Sequence, residues 1–135
     1  MSSDSIRSPS NVINYVNGSG GDLVQEYYVI DPVSLQGGTI INKDGIDNGD
    51  IGKINIVYTR VVEPLHAQLN ADIQDQGLVI DTPVYVADPL VTSAGDIHAI
   101  PLAGDLFIGK LYKAQGSDTG IRLQLLPPVV YDDLT

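Results

Sequence analysis

The chain contains no cysteine and no tryptophan, a single methionine and a single phenylalanine, and only 7 Lys and Arg against 17 Asp and Glu. Each shortage excludes something. Without cysteine there is no disulfide framework, no thiolate nucleophile and no zinc-finger ligand set. A formal charge of -10 leaves no basic footprint for phosphate backbones or anionic lipid, so neither nucleic acid nor membrane is an expected partner. No apolar run approaches the roughly 20 residues that span a bilayer. The polar stretch Met1 to Ser10 lacks the apolar core of a signal peptide, so a soluble chain not secreted by that route is expected. At 135 residues the chain buries roughly two thirds of its unfolded surface. One domain therefore suffices, and no metal, cofactor or staple is called for.

What is present points to strands. Asp outnumbers Glu 15 to 2, and Val plus Ile reach 29 while Ala plus Glu total 9. β-branched side chains fit a pleated sheet and crowd a helix, whereas Asp favours turns by bonding nearby backbone N–H groups. With 14 Gly and 8 Pro as punctuation, the expected class is all-β: a small β-barrel or β-sandwich of short antiparallel strands.

Residues 1–22 (MSSDSIRSPSNVINYVNGSGGD) are rich in Ser, Asn and Gly, with a thin scatter of Ile6, Val12, Ile13, Tyr15 and Val16. They cannot build a core alone. A flexible N-terminal arm is expected, frayed or ordering on a partner, with Gly18 to Gly21 giving it freedom to swing. A β-domain follows over 23–126, with strands at Leu23–Ile30, Thr39–Asn42, Lys53–Val62, Val84–Ala87, Leu106–Tyr112 and Gly120–Leu126. Two alternate cleanly: Ile54, Ile56 and Tyr58 oppose Lys53, Asn55 and Thr59, and Ile121, Leu123 and Leu125 oppose Arg122 and Gln124. Turn signals such as Asp31-Pro32, Gly37-Gly38 and Asn48-Gly49 separate them. Gly109 inside a strand marks a bulge or a close backbone approach. Glu63–Gln76 fits two periods, since Leu65, Leu69 and Ile73 recur every four residues while Leu65, Ala67, Leu69, Ala71 and Ile73 alternate. Pro64 and Gly77 favour at most one short helix there. Pro127 and Pro128 keep 127–135 as an extended C-terminal tail, outside a central strand.

Catalytic patterns are thin. His66 and His98 sit in no HExxH or HxH spacing, no G-x-S-x-G elbow exposes a serine, and Gly18-Ser19-Gly20-Gly21 lacks the Gly-Lys ending of a phosphate loop. Lys43–Asp50 clusters carboxylates, but a calcium loop starting at Asp44 would put Ile46 at a ligand position and Asn55 where a bidentate Glu closes the shell. An Asn48-Gly49 turn is the expectation instead. Leu78–Thr82 runs an apolar strand into Asp81-Thr82, as in dimeric aspartic proteases, yet Pro83 stands where those enzymes place glycine.

Pro83-Val84-Tyr85-Val86-Ala87-Asp88, a variable turn, Phe107-Ile108-Gly109-Lys110-Leu111 and then Gly120-Ile121-Arg122-Leu123-Gln124-Leu125 form an ordered series. It resembles the C-terminal half of the small capsid-decoration (cement) proteins of tailed bacteriophages, over roughly Gly77 to Leu126. One position departs: the family's glycine precedes the Val-Tyr pair closely, whereas Gly77 lies eight residues before Tyr85. The resemblance implies a non-enzymatic virion protein on the outer capsid surface, homotrimeric, binding the major capsid protein and stabilising the expanded head. On that reading Ile6, Arg7, Val12, Ile13 and Tyr15 of the arm are the expected capsid-binding residues, because an isolated domain has no reason to carry them on a flexible terminus. Other classes remain open: a tail or baseplate module, a carbohydrate-binding β-module, or a dimeric aspartic hydrolase using Asp81.

Overall fold

Val and Ile at alternate positions, cut by Asp, Gly and Pro, fold as short antiparallel strands in the computed structural model, which describes residues 11–56, 59–65, 68–70, 72–73, 78–87, 96–113 and 121–130. The strands are β1 (Val12–Val16), β2 (Tyr28–Ile30), β3 (Gly37–Ile40), β4 (Ile51–Ile56), β5 (Arg60–Val62), β6 (Pro83–Val86), β7 (Ile97–His98), β8 (Leu106–Lys113) and β9 (Arg122–Val130). They form two antiparallel sheets, ordered β1-β4-β3-β2 and β5-β9-β8-β6-β7. The fold is all-β, a small sandwich.

Alternation sends neighbouring residues of the short strand β2 into two cores. Tyr28 and Ile30 face the second sheet and pack with Leu69, Ile73, Val84, Val86, Ile97, Leu106, Ile108, Leu111, Leu123 and Leu125. Val29 points the other way, joining Tyr15, Leu23, Ile40, Ile46, Ile54 and Ile56. This second core is closed by a bridge in which Leu23 and Ile46 exchange backbone hydrogen bonds at 3.0 and 2.8 Å. The first sheet is thus buried on both faces at β2 and on one face only at its far edge, β1.

Gly109 performs the predicted close approach. Its φ is +153°, the β8–β9 register shifts between Phe107 and Gly109, and a Cβ there would collide with the Gln124 carbonyl. The bulge also explains how β9 tolerates two prolines. Pro127 and Pro128 fall in the irregular stretch between the Gly109↔Leu125 and Phe107↔Val129 pairs, beyond the Leu123–Leu125 segment that β5 covers, so their missing N–H groups cost no ladder bond. A separate tail beginning at residue 127 is therefore corrected: β9 continues to Val130.

The expected strands are shorter than the apolar runs that suggested them. Leu23–Ile30 yields only β2, because Glu26 adopts a positive φ of 73° and breaks the extended path. Lys53–Val62 divides into β4 and β5, which lie in different sheets. Among the described residues of 63–76 there is no α-helix. Gln68 N–H bonds to the Leu65 carbonyl and Ile73 N–H to the Asn70 carbonyl, both three residues back, and Leu69 bridges in parallel to Ile97. Pairing with β7 overrides the local helical period.

Candidate functional site

Edges of a sheet expose unpaired N–H and C=O groups, and three of the four edges here are closed or short. At β2 the closure is a side chain. Gln68, 1% exposed, accepts the Tyr28 N–H at 2.9 Å and donates to the Tyr28 carbonyl at 2.8 Å, taking the place of a neighbouring strand. At β7, Asn70 N–H donates to the Ile97 carbonyl at 2.8 Å beside the Leu69 bridge. The third edge, β5, is only three residues long. The fourth, β1, is five residues long and has no strand on its outer side among the described residues.

β1 is held in place by Asn17. Its side chain is fully buried, donating through Nδ2 to the Gly21 and Ile46 carbonyls, both at 2.8 Å, and accepting through Oδ1 from the Ser19 N–H at 3.0 Å and Ser19 Oγ at 2.6 Å. Its backbone exchanges bonds with the turn that leads from β3 into β4: Asn17 N–H to the Asp50 carbonyl at 2.9 Å and Gly49 N–H to the Asn17 carbonyl at 2.8 Å. The expected flexible arm over 1–22 is corrected for residues 12–22. Val12–Val16 is a sheet strand, and Gly18 to Gly21 belongs to a hydrogen-bonded knot, not to a swinging linker.

The register assigns each β1 residue a direction. Val12 to Val16 pair with Asn55 to Ile51. Since Asn17 bonds inward to β4, antiparallel alternation makes Ile13 and Tyr15 bond inward as well and leaves the N–H and C=O groups of Val12, Asn14 and Val16 facing outward along the edge. Side chains split by the same parity. Tyr15 is 2% exposed, and burial, then the Asp31 carboxylate, push its hydroxyl above the ordinary range. Ile13 packs against the same core. Val16, 56% exposed, lies opposite Ile51, 69% exposed, and Asn14 opposite Lys53, so the outer face near this edge is apolar and weakly charged.

Of the five expected contact residues, then, Ile6 and Arg7 lie outside the described residues, and Tyr15 is committed to the core. Val12 flanks the open edge, with Ile13 turned inward. Sequence reasoning missed Asn14 and Val16. The Ile13-x-Tyr15 alternation around polar Asn14 was the available signal.

Other acidic positions have structural partners. Asp81 occupies the positive-φ position (φ 76°) of the Val79–Thr82 turn, 71% exposed at its side chain and 3.2 Å from Lys110 Nζ. Asp105 Oδ2 lies 2.6 Å from His98 Nε2 and accepts the Leu102 N–H at 2.8 Å, while the Asp72 carboxylate accepts the N–H groups of Ala99 and Ile100. These bonds fix a loop that displays Ile100 and Leu102 to solvent. Asp47 to Asp50 form the expected turn: Asp50 N–H reaches the Asp47 carbonyl at 2.9 Å, with Gly49 at φ 86°. Among the described residues no three His, Asp or Glu side chains are grouped to hold a metal. His66 lies outside the described residues. Compared with family models, curated proteins and solved structures, the chain matches none.

Proposed function

We propose that this chain is a non-enzymatic assembly module that docks by adding β1 to a strand of a protein partner. One observation carries the reading: β1, an edge strand without proline and with no strand on its outer side among the described residues, lies in a segment, residues 11–21, that has no charged side chain in a chain of net charge -10. An added strand gains main-chain hydrogen bonds from Val12, Asn14 and Val16, and the Val16–Ile51 pair supplies apolar contact.

The finer reading rests on the resemblance of residues 77–126 to phage capsid-decoration proteins. The partner is then the major capsid protein on the outer surface of an expanded head, and three copies about a local threefold bind with avidity even where each contact is weak. Asp-rich turns keep such a module soluble before it docks.

Co-sedimentation with expanded phage heads tests both levels. Val16→Asp places a charge at an exposed position, so the fold is retained and head binding is expected to weaken by about tenfold or more, the effect of desolvating an unpaired charge at a contact. Unaltered binding would overturn the β1 assignment. Deleting residues 1–17 is not an equivalent test, because it removes Tyr15 and Asn17 from the core.

A further inference from the structure

We infer that Asn48 is a site of spontaneous deamidation, in which the turn that anchors β1 converts to aspartate and isoaspartate, and that the fold keeps Asn17 from the same reaction. Asn-Gly occurs twice in the chain, at Asn17-Gly18 and Asn48-Gly49. Glycine has no side chain to shield its nitrogen, so in an unfolded chain both pairs are open to attack of the glycine N on the asparagine Cγ. The structure separates them.

Asn17 is protected. Its side chain is fully buried and both polar atoms are engaged: Nδ2 donates to the Gly21 and Ile46 carbonyls, both at 2.8 Å, and Oδ1 accepts from Ser19 N–H at 3.0 Å and Ser19 Oγ at 2.6 Å. Turning Cγ toward Gly18 N would break these bonds and unseat the end of β1. Asn48 is exposed, and among the described residues its side-chain amide has no hydrogen-bond partner. Open space lies over Gly49, where a Cβ would meet nothing within 4 Å. One restraint remains. The Gly49 N–H donates to the Asn17 carbonyl at 2.8 Å, so the turn must open locally before that nitrogen is free. Opening one exposed turn takes far less free energy than unfolding the core that holds Asn17.

The reaction needs only the turn and water. Gly49 N bonds to Asn48 Cγ and gives up its proton, the Cγ–Nδ2 bond breaks, and ammonia leaves. Water then opens the succinimide. Hydrolysis at Cγ leaves aspartate on the original backbone, whereas hydrolysis at the backbone carbonyl routes the main chain through the side chain as isoaspartate. Both products add a carboxylate to a turn that already holds Asp47 and Asp50, and in which the Asn48 N–H is bonded to the Asp22 carboxylate at 2.8 Å. Isoaspartate also places one more atom inside the turn that Asp50 N–H closes on the Asp47 carbonyl, which draws the Gly49 N–H off the Asn17 carbonyl. The reaction loosens the β1 anchor from within. It is a property of the chain alone and stands whether or not β1 docks.

The test is to age the full chain in mildly alkaline buffer made with heavy-oxygen water, digest it with trypsin in ordinary water, and locate the label by fragment mass. Trypsin places Asn48 in residues 44–53 and Asn17 in residues 8–43. In the folded chain the label is expected to enter at Asn48 at least about tenfold faster than at Asn17; in guanidinium chloride both are expected to convert at similar rates. Amide exchange at Gly49 and Asn17 is expected to quicken in the aged chain by about fivefold or more, the worth of one anchoring hydrogen bond. Asn48→Gln, whose longer side chain does not close the five-membered ring, is expected to take up no label at residue 48 and to keep its exchange unchanged on ageing. Asn48→Asp adds the charge without lengthening the backbone and is expected to keep most of the protection. Equal labelling of Asn17 and Asn48 in the folded chain, or an unlabelled Asn48 where the unfolded chain converts, would overturn the site. Exchange that quickens on ageing as much in Asn48→Gln as in the parent, or that is already as fast in fresh Asn48→Asp as in the aged parent, would overturn the effect of isoaspartate on β1.

Discussion

The Gln68 amide clasps the Tyr28 backbone from both sides, Oε1 on its N–H at 2.9 Å and Nε2 on its carbonyl at 2.8 Å, across 40 residues of sequence. A single side chain thereby finishes the β2 edge and ties the first sheet to the segment that bridges into β7. Gln68→Leu keeps the volume and strands two buried backbone groups. The expected loss is about 1–3 kcal/mol for groups left without partners. Urea unfolding checks it: the midpoint falls while the m-value, which tracks exposed surface, holds.

Gly109 and Gly104 separate two reasons for glycine. Both have positive φ, 153° and 90°, but a Cβ at Gly109 meets the Gln124 carbonyl whereas one at Gly104 meets nothing within 4 Å. Gly104→Ala is expected to cost about 1 kcal/mol, the left-handed backbone penalty alone. Gly109→Ala must also move β9, and about 2–4 kcal/mol is expected. Equal melting-point shifts for the two variants would contradict the bulge.

Alkaline pH is expected to destabilise the fold through its tyrosines. Tyr27 is pushed up to about 12 by burial, then by the Asp96 carboxylate and by Tyr15, and burial drives the Tyr28 hydroxyl further still. Below their ordinary value of 10 both states are neutral and stability is unaffected. As pH rises from 10 toward about 12 the unfolded chain loses these protons while the folded chain keeps them, so stability falls across that window. Among the described residues the buried Tyr28 hydroxyl has no hydrogen-bond partner, and it lies beside Gly37. Tyr28→Phe is therefore expected to change stability at neutral pH by less than about 1 kcal/mol and to flatten the alkaline fall. Urea midpoints across that pH range, with phenolate absorbance followed in parallel, test both statements.

Asp81→Asn is expected to change little. The Asp81–Lys110 pair is solvent-exposed, in the class worth about 0–1 kcal/mol, and Asn tolerates the positive φ that this turn position requires. A peptidase activity in the parent chain that disappears in this variant would overturn the non-enzymatic reading.

The parts of this fold that local chemistry dictates could be read from the sequence. Alternation of Ile54 and Ile56 with Lys53 and Asn55 gave β4, Asn48-Gly49 gave a turn, and Gly109 gave a bulge. What could not be read depends on partners far along the chain. Asn17 looks like linker composition until Ile46 supplies a carbonyl for it, and Gln68 looks like a helix surface residue until β2 is placed beside it. Residues 63–76 fit two periods equally, and the contact with Ile97 decided between them. At the candidate site the apolar content of β1 was legible, but its parity was not used: choosing Ile13 and Tyr15 as contacts selected the inward face, whereas Asn14 and Val16 hold the outward one.

Residue-resolved amide hydrogen exchange along β1, in dilute protein alone and with expanded heads, tests the docking edge most directly. Ile13 and Tyr15 amides, bonded to β4, are expected to be protected in both conditions. Val12, Asn14 and Val16 amides are expected to exchange rapidly in the dilute chain and to slow by about a hundredfold or more when docked, as new ladder bonds form. Slow exchange at those three positions in the dilute chain, or no change on adding heads, would contradict the account.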